Sequence, residues 1–272
     1  MERTFTTPDP VELYVELGSG ALGVEAAETG ESRVEVTGPR AEEFTVELRG
    51  RHLVVVPPKS RFFGVGTDAH TVRVVVPIGS DLATRTGSAD TETTGLLGHV
   101  RVKTGSGDVE IDRTTGPLVV DSGSGDVCCH EAAAEIRIKS GSGDVDLGSV
   151  RGTTGISTGS GDVVIGVAHE RTVIKTGSGD LELRRSEADV SLTTASGDLV
   201  IGHAPRGRIT AKNVSGDVRV GIPAGTPVWT DVNTVTGSVA SNLRSVGKPA
   251  EGQDHVEVRA TTVSGDVRLV EV

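Results

Sequence analysis

The sequence predicts an all-β chain: a single-stranded parallel β-helix, or β-solenoid, wound right-handed with about 18 residues per coil and little or no α-helix. Three observations carry this. Gly-Ser-Gly-Asp recurs with its aspartate at Asp108, Asp126, Asp144, Asp162, Asp180 and Asp198, each 18 residues after the last. Asp90 precedes the series, Asp217 follows it, and a last copy ends at Asp266. The residues flanking each aspartate alternate apolar and polar, as strands do, and no stretch sustains the 3.6-residue period of a helix. The 37 glycines fall at repeated turn positions and not in tracts, while aromatics are only 2% of residues. Such a chain builds a thin core from Val, Ile, Leu and small residues, punctuated by turns.

Residues 1–77 are irregular. Val11-Glu12-Leu13-Tyr14-Val15-Glu16-Leu17 alternates as a strand, and Gly18-Ser19-Gly20-Ala21 is a degenerate turn with Ala21 in the place of Asp. Further strands start near Arg33, Phe44, His52 and Thr71; prolines at Pro57, Pro58 and Pro77 stop two of them. Residues 59–69, with Phe62 and Phe63, read as a loop. Most of the aromatics lie in this segment (Phe5, Tyr14, Phe44, Phe62, Phe63). A solenoid end exposes open core and unpaired edges, so the expectation is a few imperfect coils plus a cap plugged by rings. Phe62 and Phe63 could instead mark a partner surface.

Residues 78–220 are the regular array. Eight residues before the aspartates stand Val100, Leu118, Ile136, Thr154, Thr172 and Val190; six before, Val102, Val120, Ile138, Ile156, Ile174 and Leu192. Four before is Thr or Ser. One after is Val or Leu, and three after are Ile111, Cys129, Leu147, Ile165, Leu183 and Ile201. Each period is therefore two short strands joined by Gly-Ser-Gly-Asp at one end, with a variable corner, such as residues 113–117, at the other. Ala195 replaces the first glycine once. A lone coil cannot bury enough apolar surface to offset the entropy of ordering it, so the units must stack. A constant spacing then sets like on like, at a rise of about 4.7–4.9 Å.

Residues 221–272 are looser: a turn at Ile222-Pro223-Ala224-Gly225-Thr226-Pro227, a strand with Trp229, a copy at Thr236-Gly237-Ser238-Val239 that has lost Asp, a polar inserted loop over 244–254, and a full coil over 255–269. Trp229 reads as an end plug, with a ligand platform as the alternative. The chain as a whole reads as one elongated domain, 1–272.

The aspartates are the strongest repeated chemistry. Each can accept backbone N–H bonds within its own turn, helped by the serine two residues earlier. Alternatively Asp108, Asp126, Asp144, Asp162, Asp180 and Asp198 form a row of carboxylates about 5 Å apart that binds divalent cations and so relieves their repulsion. Five residues before the aspartates, Lys103, Asp121, Lys139, Ser157, Lys175, Thr193 and Lys212 face outward, alternating so that like charges never adjoin.

Enzyme signatures are missing. The seven histidines form no column, and no zinc-ligand pair or nucleophile elbow occurs. Gly105-Ser106-Gly107 opens no helix on which a phosphate could sit. The net charge of -11 and pI of about 5.1 argue against a nucleic-acid partner. No apolar run of about 18 residues predicts membrane insertion, and no signal peptide is read at the N-terminus. Cys129 points inward and its neighbour Cys128 outward, so the two cannot easily pair. Two isolated thiols suit a reducing compartment, and the expected location is the cytoplasm.

At Thr-Gly-Ser-Gly-Asp-Val and its valine-rich strands the chain resembles the bacterial "putative adhesin" β-strand-repeat family, a domain of unknown function, from about Val11 to Leu269. The resemblance implies a single-stranded parallel β-helix and, in some relatives, a place in cell-envelope stress or surface systems. The expected function is a non-catalytic scaffold or interaction module, without cofactor, that binds a protein or itself. A β-helix lyase or hydrolase acting on carbohydrate is one alternative, and a head-to-tail filament former is another.

Overall fold

The computed structural model describes residues 1–58, 69–244, 247 and 252–272. The loop expected over 59–69, with Phe62 and Phe63, therefore lies outside the described residues except for Ala69, as does half of the inserted loop over 244–254. The chain folds into two compact units, Met1–Ala134 and Glu135–Val272. Both are parallel β-helices, and among the described residues the only helical element is one 3-10 turn, Ala41–Glu43.

In the first unit the 18-residue period becomes direct stacking. Leu118 lies on Val100 and Val120 on Val102; in the second strand of the same coils Val127 lies on Val109 and Cys129 on Ile111. Beneath them runs the long strand Asp81–Leu97, whose other neighbour is Glu12–Ala27. The degenerate turn is in register: Ser19 pairs with Ser88, Gly20 with Ala89 and Ala21 with Asp90. So Ala21 does occupy the aspartate position.

The far edge of Glu12–Ala27 is taken by His52–Val56 and Ala69–Pro77, again parallel. There the pattern reverses. Thr45–Arg49 covers His52–Val56 antiparallel, Glu31–Thr37 covers Ala69–Pro77 antiparallel, and Glu2–Thr6 covers Glu31–Thr37. A two-residue turn at Gly50 (φ +61°) makes the first of these reversals possible. This is the expected cap. Phe44 plugs it, 5% exposed and with its ring 5.0 Å from that of His70. Phe5 and Tyr14 are only half-buried and plug nothing.

In the second unit five coils follow chain order: Ile136–Ser140 with Val145–Val150, Thr154–Ser160 with Val163–Ala168, Thr172–Ser178 with Leu181–Ser186, Val190–Thr193 with Leu199–His203, and Gly207–Lys212 with Val218–Ile222. Ile138, Ile156 and Ile174 form one inward column, and Leu147, Ile165, Leu183 and Ile201 another. All are 3% exposed or less.

Then stacking order departs from chain order. The last coil, Val256–Ser264 with Val267–Glu271, lies on Gly207–Lys212 and Val218–Ile222. The preceding coil, Val228–Thr236 with Val239–Ser241, lies on the far side of that last coil. Its residues are outermost. The inward positions explain the order: Val256, Val258, Ala260, Val267 and Leu269 are buried, whereas Thr230 and Ser241 stand at the matching places of the outer coil and are exposed. A coil covered on one side only has less apolar surface to hide. Trp229 is 52% exposed, with the Arg259 guanidinium 5.6 Å from its ring centre, so it is not the expected plug.

The strands after each aspartate run further than expected. Val109–Thr114 leaves a corner of three residues, and position six after the aspartate points inward. Thr114, Ala132, Val150, Ala168, Ser186 and Ala204 fill this further column, each 2% exposed or less. Its mixed small residues hide it from a hydrophobicity pattern.

Candidate interaction surface

The aspartates stand on an exposed corner, but their bonds are not the expected ones. Seven of the nine carboxylates accept the backbone N–H of the equivalent aspartate one coil on. In the first unit Asp108 N–H donates to Asp90 Oδ1 (3.0 Å) and Asp126 N–H to Asp108 Oδ1 (2.9 Å). In the second, Asp162 donates to Asp144 (2.8 Å), Asp180 to Asp162 (2.8 Å), Asp198 to Asp180 (2.7 Å), Asp217 to Asp198 (2.7 Å) and Asp266 to Asp217 (2.8 Å). The physical cause is the tight turn. At this corner the backbone bends out of ladder geometry, and the N–H facing the coil below meets a side chain where a strand would offer a carbonyl.

The column ends at Ser238, which occupies the aspartate position of the outermost coil. Its N–H and its hydroxyl both donate to Asp266 Oδ1 (2.9 Å each). These bonds, and then the Arg268 guanidinium, hold the Asp266 carboxyl below the usual carboxylate range. The outermost coil has no described coil beyond it to supply with an acceptor, so serine suffices there.

The hydroxyls four residues before the aspartates close the turns. Thr104 Oγ accepts from Gly107 N–H (3.1 Å) and Ser140 Oγ from Gly143 N–H (3.0 Å), while Thr158, Thr176 and Thr194 donate to the carbonyls of Ser160, Ser178 and Ser196. The serines two residues before the aspartates are exposed, and it is their backbone carbonyls, not their hydroxyls, that enter these bonds. Among the described residues no three His, Cys, Asp or Glu side chains gather as a metal-holding group.

If the carboxylate works as an inter-coil acceptor, its oxygen matters more than its charge. Asp180→Ala is expected to cost about 1 kcal/mol, the net worth of one hydrogen bond. Asp180→Asn keeps an acceptor oxygen and is expected to stay within about 0.5 kcal/mol of the parent. Urea unfolding of both variants, with and without calcium, checks this: a cation role predicts instead that both variants lose a calcium-dependent increment.

The outward column is confirmed by register. Asp121 lies beside Lys103 (4.0 Å), Ser157 beside Lys139 and then Lys175, and Thr193 beside Lys175 and then Lys212. Cys129 is buried, and burial pushes its thiol up to about 12. Cys128 is half-buried; neither cysteine is in a disulfide.

One surface groove of the second unit is rich in charge, but its charges answer one another. Arg208 bonds Glu257 (2.7 Å), Arg185 and His169 bond Glu187 (3.0 and 2.8 Å), and Arg206 donates to the Glu187 carbonyl (2.7 Å). His169 and Arg185 lower the Glu187 pKa, and Arg208 lowers that of Glu257, which favours the ionised carboxylate in both. Sequence reading missed this cluster because its members come from different coils at different offsets.

Apolar surface, by contrast, gathers at the last coils of the second unit. The position of the first turn glycine, Gly159 and Gly177, becomes Ala195, then Val214, Val263 and Val235 in stacking order. These three valines are 55%, 45% and 72% exposed. Trp229 and Val239 (51%) are exposed on the outer coil as well. The replacement of glycine by valine was visible in the sequence, but its direction appears only once the stacking order is known.

Comparison with known proteins places the chain. The solved structures it resembles include a "putative lipid binding protein" from Parabacteroides distasonis (15% identity, 99% of this chain and 96% of that one, TM-score 0.47). A "putative adhesin" from Parabacteroides merdae is similar at 11% identity (99% and 95%, TM-score 0.44), and one from Bacteroides fragilis at 14% (100% and 96%, TM-score 0.38). No curated protein matches. The family model described as Toastrack DUF4097 matches residues 12–270, and on that match the chain belongs to the Toastrack DUF4097 family.

Proposed function

We propose that the protein is a non-catalytic β-solenoid interaction module that binds another protein chain through the exposed end of its second unit. The observation that supports this most is the use of the repeated carboxylates. From Asp144 to Asp266 each Oδ1 in the column accepts a backbone N–H of the neighbouring coil, so the repeat's most conspicuous chemistry serves stacking. The charged groove pairs its acids with bases in the same way. A binding surface remains where Val214, Val263, Val235 and Trp229 leave apolar area in water. Adhesion is a finer form of this reading and rests on the resemblance of the Thr-Gly-Ser-Gly-Asp-Val repeat. Among the described residues no helix is long and apolar enough to cross a membrane. Two cysteines outside any disulfide fit a reducing compartment such as the cytoplasm.

The rival reading, a carbohydrate-active β-helix enzyme, makes a different prediction. A glycosidase needs one carboxyl held protonated opposite an ionised one. Incubation with polygalacturonate, alginate and xylan, with and without calcium, is expected to release no reducing ends and no unsaturated product above background. Turnover that tracks the purified protein would overturn the proposal.

A further inference from the structure

We propose that the partner is a second copy of this chain, and that two copies join through antiparallel pairing of their Val228–Thr236 strands about a two-fold axis at Val232. This deepens the interaction reading above and rests on it. Among the described residues Val228–Thr236 pairs only with Val256–Ser264 and presents its other edge unpaired. Val256 N–H donates to the Pro227 carbonyl (3.0 Å). That bond turns the backbone groups of odd-numbered residues toward Val256–Ser264 and leaves those of Thr230, Val232 and Thr234 at the free edge. An open edge of this kind is a template for a further strand.

The strand's own sequence selects the occupant. With Val232 opposite Val232, Thr230 faces Thr234 and donates and accepts as a ladder pair. The intervening pairs are the closely spaced ones, and they match: exposed Trp229 lies against exposed Val235, and Asp231, the strand's only charge, lies against Asn233. Centring the axis one residue earlier would set Asp231 against Asp231, like charges directly opposed. The inward side chains Val228, Val232 and Thr234, half-buried in one copy, meet their counterparts and close the open end of the core. Such a contact is isologous and stops at two copies.

Asn233 is exposed, so its charge can be changed in either direction. Sedimentation equilibrium on the full chain is expected to show a monomer–dimer equilibrium. Asn233→Asp places two carboxylate pairs across the axis and is expected to weaken the dimer roughly 2- to 30-fold; Asn233→Lys places two Lys–Asp231 pairs there and is expected to tighten it by a similar factor. Circular dichroism should be unchanged in both. A strict monomer, open filaments, or two variants that shift the equilibrium in the same direction would overturn the pairing. None of these would touch the non-catalytic reading, which falls only to glycan turnover.

Discussion

Gly179→Ala is expected to destabilise the protein by about 2–4 kcal/mol, the sum of backbone strain and a lost inter-coil hydrogen bond. Gly179 has a φ of +129°, a conformation that side-chain-bearing residues rarely adopt. A Cβ there would lie 2.3 Å from the Gly161 carbonyl oxygen and 2.7 Å from its carbon. The obstacle is backbone, which cannot rotate aside as a side chain can. The turn must lift from the coil below, and the Gly161 N–H to Ser178 carbonyl bond (3.1 Å), which joins those two coils, stretches with it. Gly161, Gly197, Gly216 and Gly265 repeat the arrangement, so the effect is a property of stacking and not of one site. Gly155→Ala is the matched control. Its added Cβ meets only the Ile136 carbonyl oxygen at 3.9 Å, an ordinary contact, and a change within about 0.5 kcal/mol is expected. Urea unfolding of the two variants checks the contrast. Equal losses would mean that the glycines serve flexibility and not close approach.

These glycines show why so much of the fold was legible. An 18-residue spacing that never drifts over Asp108 to Asp198 has one economical meaning: equivalent residues lie on one another. The columns of Ile, Leu and Val, the alternating outward column and the glycine corner all follow from that register. What the spacing could not give is which atom of a column bonds which. The aspartates were placed correctly, yet their acceptor role runs between coils, because the turn geometry that frees an N–H is a backbone property and not a pattern of residue types.

The ends were the other gap. From Asp217 to Asp266 the interval is 49 residues, and nothing in a spacing tells whether the intervening Ser238 copy lies between them or outside. The signal was chemical. A coil that has exchanged Asp for Ser and inward aliphatics for Thr230 and Ser241 is suited to the outermost place, wherever it falls in the chain. In the first unit, likewise, Glu12–Ala27 lies directly beside Asp81–Leu97 although some fifty residues intervene in sequence. Parallel ladders constrain neighbours; they say little about the path taken between them.

The same ladders predict how damage spreads. Ile165→Ala is expected to cost about 2–5 kcal/mol, because Ile165 is fully buried and a narrow core cannot collapse around the void. Its column neighbours are Leu147 on one side and Leu183 on the other, followed by Ile201, Val220 and Leu269 in successive coils. In a stack, each coil's stability resides in its two interfaces, so a second substitution matters according to its distance in coils. Ile165→Ala with Leu183→Ala empties two facing positions into one cavity, and the pair is expected to be coupled by about 0.5–3 kcal/mol. Ile165→Ala with Leu269→Ala separates the voids by four coil steps, about 19 Å at the ladder spacing. There the losses are expected to add to within about 0.5 kcal/mol. Double-mutant cycles from urea unfolding measure both couplings. Equal coupling at one step and at four would mean that the second unit holds together as a single undivided core, and the coil would lose its standing as the unit of stability.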